Sequence, residues 1–245
     1  MMTSPMFGQR PALAPAGTLR AAYLATNPAQ AVREPATGEL RGVAIDMARE
    51  LARRLGVEAA LVAAQSPQAV MDAVRDGKAD IGFVAYNSER AGPVEFSQPY
   101  LLVNQTFLVR ADSAIRSARE IDRPDLKIGA RAGDSIALYL ARTLKQARLV
   151  ELPAAETAAA PAMVQTSTLD AFGANRQRLT DILRAAPGLR LLPDDLYGVE
   201  QAIIVPRGNA DALQAVNQFI DDVRRSGFIE ASITRSGVLG IAVAK

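Results

Sequence analysis

Histidine and cysteine are both absent from the 245 residues. Ser-His-Asp and Cys-His catalysis are therefore excluded. Zinc sites built from imidazole and thiolate are excluded as well, as are disulfides and thiolate chemistry. An all-carboxylate Mg²⁺ or Ca²⁺ site stays open in principle, but the chain shows no EF-hand spacing. It also lacks the G-x-x-x-x-G-K-S/T phosphate loop and the G-x-G-x-x-G dinucleotide fingerprint. No cofactor and no metal are expected. No apolar run is long enough to span a membrane. No block of lysines or arginines is interleaved with aromatics, and the net charge is only +2, so nucleic acid is not an expected partner.

What remains is a chain with 49% apolar residues, long enough for a sizeable core in one or two domains. Its first residues, MMTSPMFGQRPALAPAGTLR, are rich in Pro, Ala and Gly. They lack the basic start and apolar core of a secretory signal and read as a disordered leader over residues 1–17. Two readings stay open: an export signal was removed, or export does not use that route.

Beyond the leader, apolar runs alternate with amphipathic stretches. Residues 18–24 (TLRAAYL) read as a strand. In RGVAIDMARELARRLG, Val43, Met47, Leu51 and Leu55 recur at helical spacing and Gly56 stops the helix. VEAALVAA reads as a second strand, and Ser66-Pro67 opens a helix. Residues 81–85 form a short apolar run ending in a polar turn, which reads as a buried strand. The order β-α-β-α-β predicts a doubly wound α/β domain. Further along, residues 94–96 and 104–110 read as separate extended pieces. Then come strand and loop KIGARAG, helix 135–147, strand LVELP and an alanine-rich helix over 156–166. TLDAFGA is read as a strand, NRQRLTDILRAA as a helix, LRLLP and VEQAIIVPRGN as strands, and the remainder as a long helix broken at Gly227.

In residues 80–100, DIGFVAYNSERAGPVEFSQPY, the pattern is D-I-G-x-x-A, a turn, E-R, then V-E-F-S-x-P-Y. This resembles the family 3 periplasmic solute-binding proteins, the binding components of polar amino-acid ABC transporters, of which the chain reads as a divergent member. Gly42, Asp46, Ala52 and Leu55-Gly56 fit a family pattern, and so do the return strand ending in Pro206-Arg207-Gly208, the Val216-Asn217-x-x-Ile220 stretch and the Gly227-Phe228-Ile229 stretch. The likeness runs from about residue 18 to 237. It implies a type II periplasmic-binding-protein-like fold: two doubly wound α/β lobes joined by two hinge crossovers, near 104–110 and 196–202. Lobe 1 would take residues 18–106 and 202–245, and lobe 2 residues 107–201, with the ligand in the cleft between them. Asp46 is otherwise read as a solvated or capping carboxylate near a helix start.

The resemblance also suggests site residues. Arg90 follows a strand end, where ligands sit in open α/β sheets, and its five-donor fork suits a carboxylate. The family's arginine here grips the ligand's α-carboxylate. The turn before it, Ala85-Tyr86-Asn87-Ser88, departs from the family's Gly and Thr/Ser pattern; Asn87 and Ser88 either replace the missing hydroxyls or only form the turn. Gly133-Asp134-Ser135 stands at the family's Gly-Thr loop. Ser135 suits an anion at a helix start, whereas Asp134 either caps the helix or faces a ligand ammonium or hydroxyl. Asn175 stands where the family has an aspartate for the α-ammonium, which weakens amino-acid selectivity. Arg176 is either a solvated helix-start residue or, turned inward, a reason to favour a ligand with two negative groups. Asn27 lies in the first loop, and Tyr23 and Tyr86 are the nearby aromatic candidates, so a polar ligand is expected.

Three functions follow. The first is a monomeric periplasmic binding protein that captures a small carboxylate-bearing ligand, an amino acid or related organic acid, and delivers it to an ABC transporter permease. The second is a soluble sensor of the same fold. The third is an enzyme resembling cyclohexadienyl dehydratases, for which Asp134 and Glu89 are candidate general acids. The binding protein is the preferred reading, with no enzymatic activity expected.

Overall fold

The computed structural model describes residues 13–34, 36–87 and 92–245. In chain order these form β1 (Thr18–Leu24), β2 (Val32–Arg33), β3 (Leu40–Arg41), α1 (Val43–Leu55), β4 (Glu58–Ala64), α2 (Pro67–Arg75) and β5 (Ile81–Ala85). There follow β6 (Val94–Arg110), β7 (Lys127–Arg131), α3 (Ser135–Thr143), β8 (Arg148–Leu152), α4 (Ala160–Gln165), β9 (Ala171–Asn175) and α5 (Arg176–Ala185). The chain closes with β10 (Leu189–Leu191), β11 (Tyr197–Pro206), α6 (Ala210–Arg225), α7 (Phe228–Ser236) and β12 (Ile241–Val243). It divides into two units. One takes the described residues up to Tyr100, with Gln201–Ser236 and Lys245; the other takes Leu101–Glu200 and Gly237–Ala244.

In the first unit β4, β1 and β5 run parallel, and the Gln201–Ile204 part of β11 pairs antiparallel with β5. Ser66 Oγ accepts the Ala69 N–H at 3.1 Å and so caps α2, as a serine before a helix-opening proline should. Gly56 ends α1 in the left-handed conformation, φ 70°. The sheet's inner face packs Ala22, Val84 and Ile204 against Val70, Met71 and Val74 of α2. Gly82 lets that helix approach, because a Cβ there would fall 2.7 Å from Val70 Cγ1. At the opposite end from the strand-end loops, Asp80 takes Arg20 Nη2 at 2.6 Å and Nε at 3.1 Å. Asp46 is neither a cap nor solvated. It accepts from Ser232 Oγ (2.6 Å) and Arg235 Nη2 (2.9 Å), tying α1 to α7.

The second unit repeats the plan. Here β8, β7 and β9 run parallel, β6 lies antiparallel to β9, and both β10 and β12 pair with β6. One face packs Phe107, Ile128, Ile136 and Leu140; the other packs Leu108, Val164, Phe172 and Leu179. Three sequence expectations need correction here. Residues 94–110 are one strand of 17 residues, not two pieces. The reason is β12, which pairs with Leu101–Val103 and holds the intervening stretch extended. The alanine-rich stretch is a 3₁₀ turn, Ala154–Ala159, followed by α4 of only 6 residues starting beside Pro161. Helix α3 ends at Thr143 because Asp122 takes the backbone N–H groups of Lys145, Gln146 and Ala147, at 2.8–3.1 Å.

The unit boundaries also differ from those expected. The second unit starts at Leu101, before the expected 107, and takes residues 237–244, which the expected lobe 1 includes. Pairing of β12 with β6 is the cause. The changes of unit after Tyr100 and after Glu200 each fall within a strand, and the chain changes unit again after Ser236 and after Ala244.

Candidate functional site

Each unit presents one edge where its parallel strands end and loops enter helices, the place in α/β sheets where ligands are held. In the first unit this edge follows β1 and β5. Gln30 is fully buried; its Oε1 accepts Leu24 N–H at 3.0 Å and its Nε2 donates to Gln201 Oε1 at 3.1 Å. That pair fixes the end of β1 against β11. Asn27 uses Oδ1 to accept Ala29 N–H (3.1 Å), a turn-forming role. Ala85 ends β5 opposite Gln201. Tyr86 is 45% exposed and meets Phe96 edge to face at 5.2 Å. Asn87 is half-buried beside it. Ser88, Glu89 and Arg90 lie outside the described residues. Tyr23, an expected aromatic candidate, is 3% exposed and belongs to the core. Phe96, the ring partner of Tyr86, is half-buried against the core of the first unit.

In the second unit the edge follows β7 and β9, which lie in register with Ala130 opposite Gly173. The N-termini of α3 and α5 therefore start side by side. Asn175 is 9% exposed and its Oδ1 accepts Arg178 N–H at 2.9 Å, capping α5. Asp134 occupies the cap position of α3 but makes no cap hydrogen bond. Its Oδ2 instead accepts from Arg178 Nη1 at 3.0 Å, and Arg131 Nη1 stands 4.0 Å from its Oδ1. The helix-cap reading of Asp134 is therefore corrected: the side chain pairs with Arg178 instead of capping α3. Ser135, the first residue of α3, is half-buried next to it.

Arg176 is not a solvated residue: its side chain is 18% exposed and paired with Asp195. Its Nη2 and Nε lie 2.6 and 2.7 Å from Asp195 Oδ1, and Nη2 donates to Asp194 carbonyl oxygen at 2.9 Å. Asn104 Nδ2 holds the other Asp195 oxygen at 2.8 Å. The neighbouring Asp194 is pinned as well. Burial alone would raise its carboxyl, but hydrogen bonds from Ser117 Oγ (2.7 Å) and Ala118 N–H (2.8 Å) outweigh that and hold it below the carboxylate range.

The structure thus brings Asp134, Ser135, Asn175 and Arg176 to one edge, together with Arg131 and Arg178, which sequence reading passed over. Both are cations at a strand end or helix start, the signal that singled out Arg90. Among the described residues no group of three or more carboxylates is placed to hold a metal ion.

Residues 19–235 match the sequence model of the bacterial extracellular solute-binding proteins, family 3. The chain belongs to that family. A glutamine-binding protein from Geobacillus stearothermophilus is 25% identical over 179 residues, 70% of this chain and 67% of the relative. Among solved structures, the amino acid ABC transporter substrate-binding protein AbpA from Streptococcus pneumoniae, bound to L-arginine, superposes with a TM-score of 0.72 at 20% identity, covering 90% of this chain and 94% of that one. The ancestral amino acid-binding protein AncCDT-1, a precursor of cyclohexadienyl dehydratase, gives 0.71 at 24% identity, covering 90% and 95%. The type II periplasmic-binding fold read from the sequence is the fold of these neighbours. No helix among the described residues is long and apolar enough to cross a membrane.

Proposed function

We propose that this family 3 solute-binding protein captures a small polar ligand bearing a carboxylate, an amino acid or related organic acid, and delivers it to the membrane permease of an ABC transporter. The observation that carries the reading is the family match over residues 19–235. The glutamine-binding relative and the arginine-bound neighbour agree with it. The groups assigned to the ligand are Arg90, for the carboxylate, with Ala85, Tyr86, Asn87 and Ser88 around it, and Ser135 at the start of α3. The protein works as a monomer in the periplasm and catalyses no reaction. The enzyme alternative draws no support from Asp134, whose carboxylate is already engaged by Arg178; Glu89 lies outside the described residues.

The test is a thermal-shift screen of the purified protein against amino acids, dicarboxylates and keto acids, beside Arg90→Ala. A ligand that binds only the folded state raises the melting temperature by mass action. A shift with one carboxylate, lost in the variant, supports the reading. A shift that survives Arg90→Ala removes Arg90 from the site, and no shift with any carboxylate contradicts the proposed ligand class.

A further inference from the structure

We infer that Gln30 is a positioning residue for ligand binding: through Leu24 and Gln201 it holds the ends of β1 and β5 in the arrangement that receives the ligand carboxylate, before any ligand arrives. This rests on the binding-protein reading above and adds to it a residue that itself touches no ligand.

Gln30 is wholly buried, and Gln201 is 2% exposed. A long amide is an unusual occupant of such a place, because its polar atoms cost free energy there unless each finds a partner. Gln30 finds them within the first unit. Its Oε1 accepts the N–H of Leu24, the last residue of β1, at 3.0 Å. Its Nε2 donates to Gln201 Oε1 at 3.1 Å, and Gln201 stands opposite Ala85, the last residue of β5. The main chain joins in. Gln30 N–H donates to the Asn27 carbonyl at 2.9 Å, and the Gln30 carbonyl accepts the Ala44 N–H at 3.2 Å, in the first turn of α1. Gly42, just before that helix, permits the approach: a Cβ there would fall 2.5 Å from the Gln30 carbonyl oxygen.

One residue thus gathers the end of β1, the loop after it, the start of α1 and, through Gln201, the end of β5. Ala85 leads directly into residues 86–90, to which the ligand carboxylate is assigned. Apolar packing would fill the same volume, but it is non-directional. A satisfied buried polar network instead specifies one arrangement of the groups it joins. An edge held in that arrangement beforehand spares the ligand the cost of ordering it, which is gained as affinity.

The experiment is Gln30→Met, which keeps the length of the side chain and removes both of its hydrogen bonds. Val74→Ala is the reference: it truncates the core under α2 and so destabilises the same unit, but Val74 makes none of these bonds. Dissociation constants are measured by isothermal titration calorimetry for the common L-amino acids, succinate, glutarate and 2-oxoglutarate, at a temperature where both variants are folded. For each probe that binds the wild type, Gln30→Met is expected to bind at least about tenfold more weakly, and Val74→Ala within about threefold of wild type. A merely structural role would give the two variants the same affinity. A loss under tenfold in Gln30→Met, or one matched by Val74→Ala, overturns the inference and leaves the binding-protein reading intact. No binding of any probe to the wild type removes that reading and the inference with it. A second measurement, amide hydrogen exchange of the wild type without ligand, does not depend on Gln30→Met folding. The Leu24 N–H is expected to exchange within about tenfold of the Ala22 N–H, in the middle of β1. Faster exchange at Leu24 would show that the Gln30 bond is not held in the free protein, and overturns the inference.

Discussion

Replacing Arg176 with alanine separates a structural from a ligand-binding role. The guanidinium donates to Asp195 through two nitrogens and to the Asp194 carbonyl. Losing one partner of a fully buried pair costs about 3–5 kcal/mol, because a charge is left without compensation. Here Arg176 and Asp195 are 18% and 29% exposed, and Asn104 still holds Asp195. Water and the remaining amide take up part of the loss, which brings the expected cost to about 2 kcal/mol. For a chain of this length that lowers Tm by about 4–8 °C. Urea denaturation of Arg176→Ala, Asp195→Ala and the double variant should give a coupling of about 1 kcal/mol or more. The affinity of the folded protein for its ligand should change less than about threefold. Unchanged stability with lost binding would show that Arg176 holds the ligand and that the Asp195 pair is incidental.

Three further outcomes follow from packing and charge. Glu50 is bracketed by Arg53 and Arg54, at 2.8 and 2.7 Å; hydrogen bonding to Arg53 leads in drawing its carboxyl down to about 2, against the opposing effect of burial. Its folded value lies below the unfolded one, so the stabilisation is complete above about pH 4.3 and is lost as pH falls towards 2. Arg53 is 72% exposed, so about 1–2 kcal/mol is expected rather than the full linkage value, and Glu50→Gln should flatten acid sensitivity over that window in denaturation curves taken from pH 5 to pH 2. Gly173→Ala should destabilise by about 1–3 kcal/mol in urea melts, since the new Cβ would fall 2.7 Å from Ile136 Cδ1 and 2.9 Å from Phe107 Cε1. Gly240→Ala combines φ +69° with a Cβ 2.5 Å from Arg176 Cβ; it should lower Tm and weaken the Arg176–Asp195 coupling in the same double-variant cycle.

What could be read from the sequence was local. β1 occupies the predicted residues 18–24, and α1 ends at the predicted Gly56, because strand alternation and helix stop signals act within a few residues. The strand over 94–110 was read as two pieces because its second half-partner, β12, lies more than 130 residues away in the chain. The early end of α3 depends on Asp122, which precedes the helix and reaches back to the N–H groups after it. The same limit governed the site. A strand end pointed to Arg90, and the family resemblance pointed to residues 85–88, 134–135 and 175–176, but ionic state depends on distant partners. Asp134 meets Arg178 across 44 positions, and Arg176 meets Asp195 only because β10 brings the chain back. A carboxylate that looks available in the sequence is therefore already paired in the fold.

The binding-protein claim is tested most directly by calorimetric titration of the carboxylate that gives the largest thermal shift into the wild-type protein and into Arg90→Ala. A saturable isotherm with one ligand per chain in the wild type, weakened at least a hundredfold in the variant, is the expected result. No saturable heat with any carboxylate, or an isotherm unchanged by removal of Arg90, would contradict it.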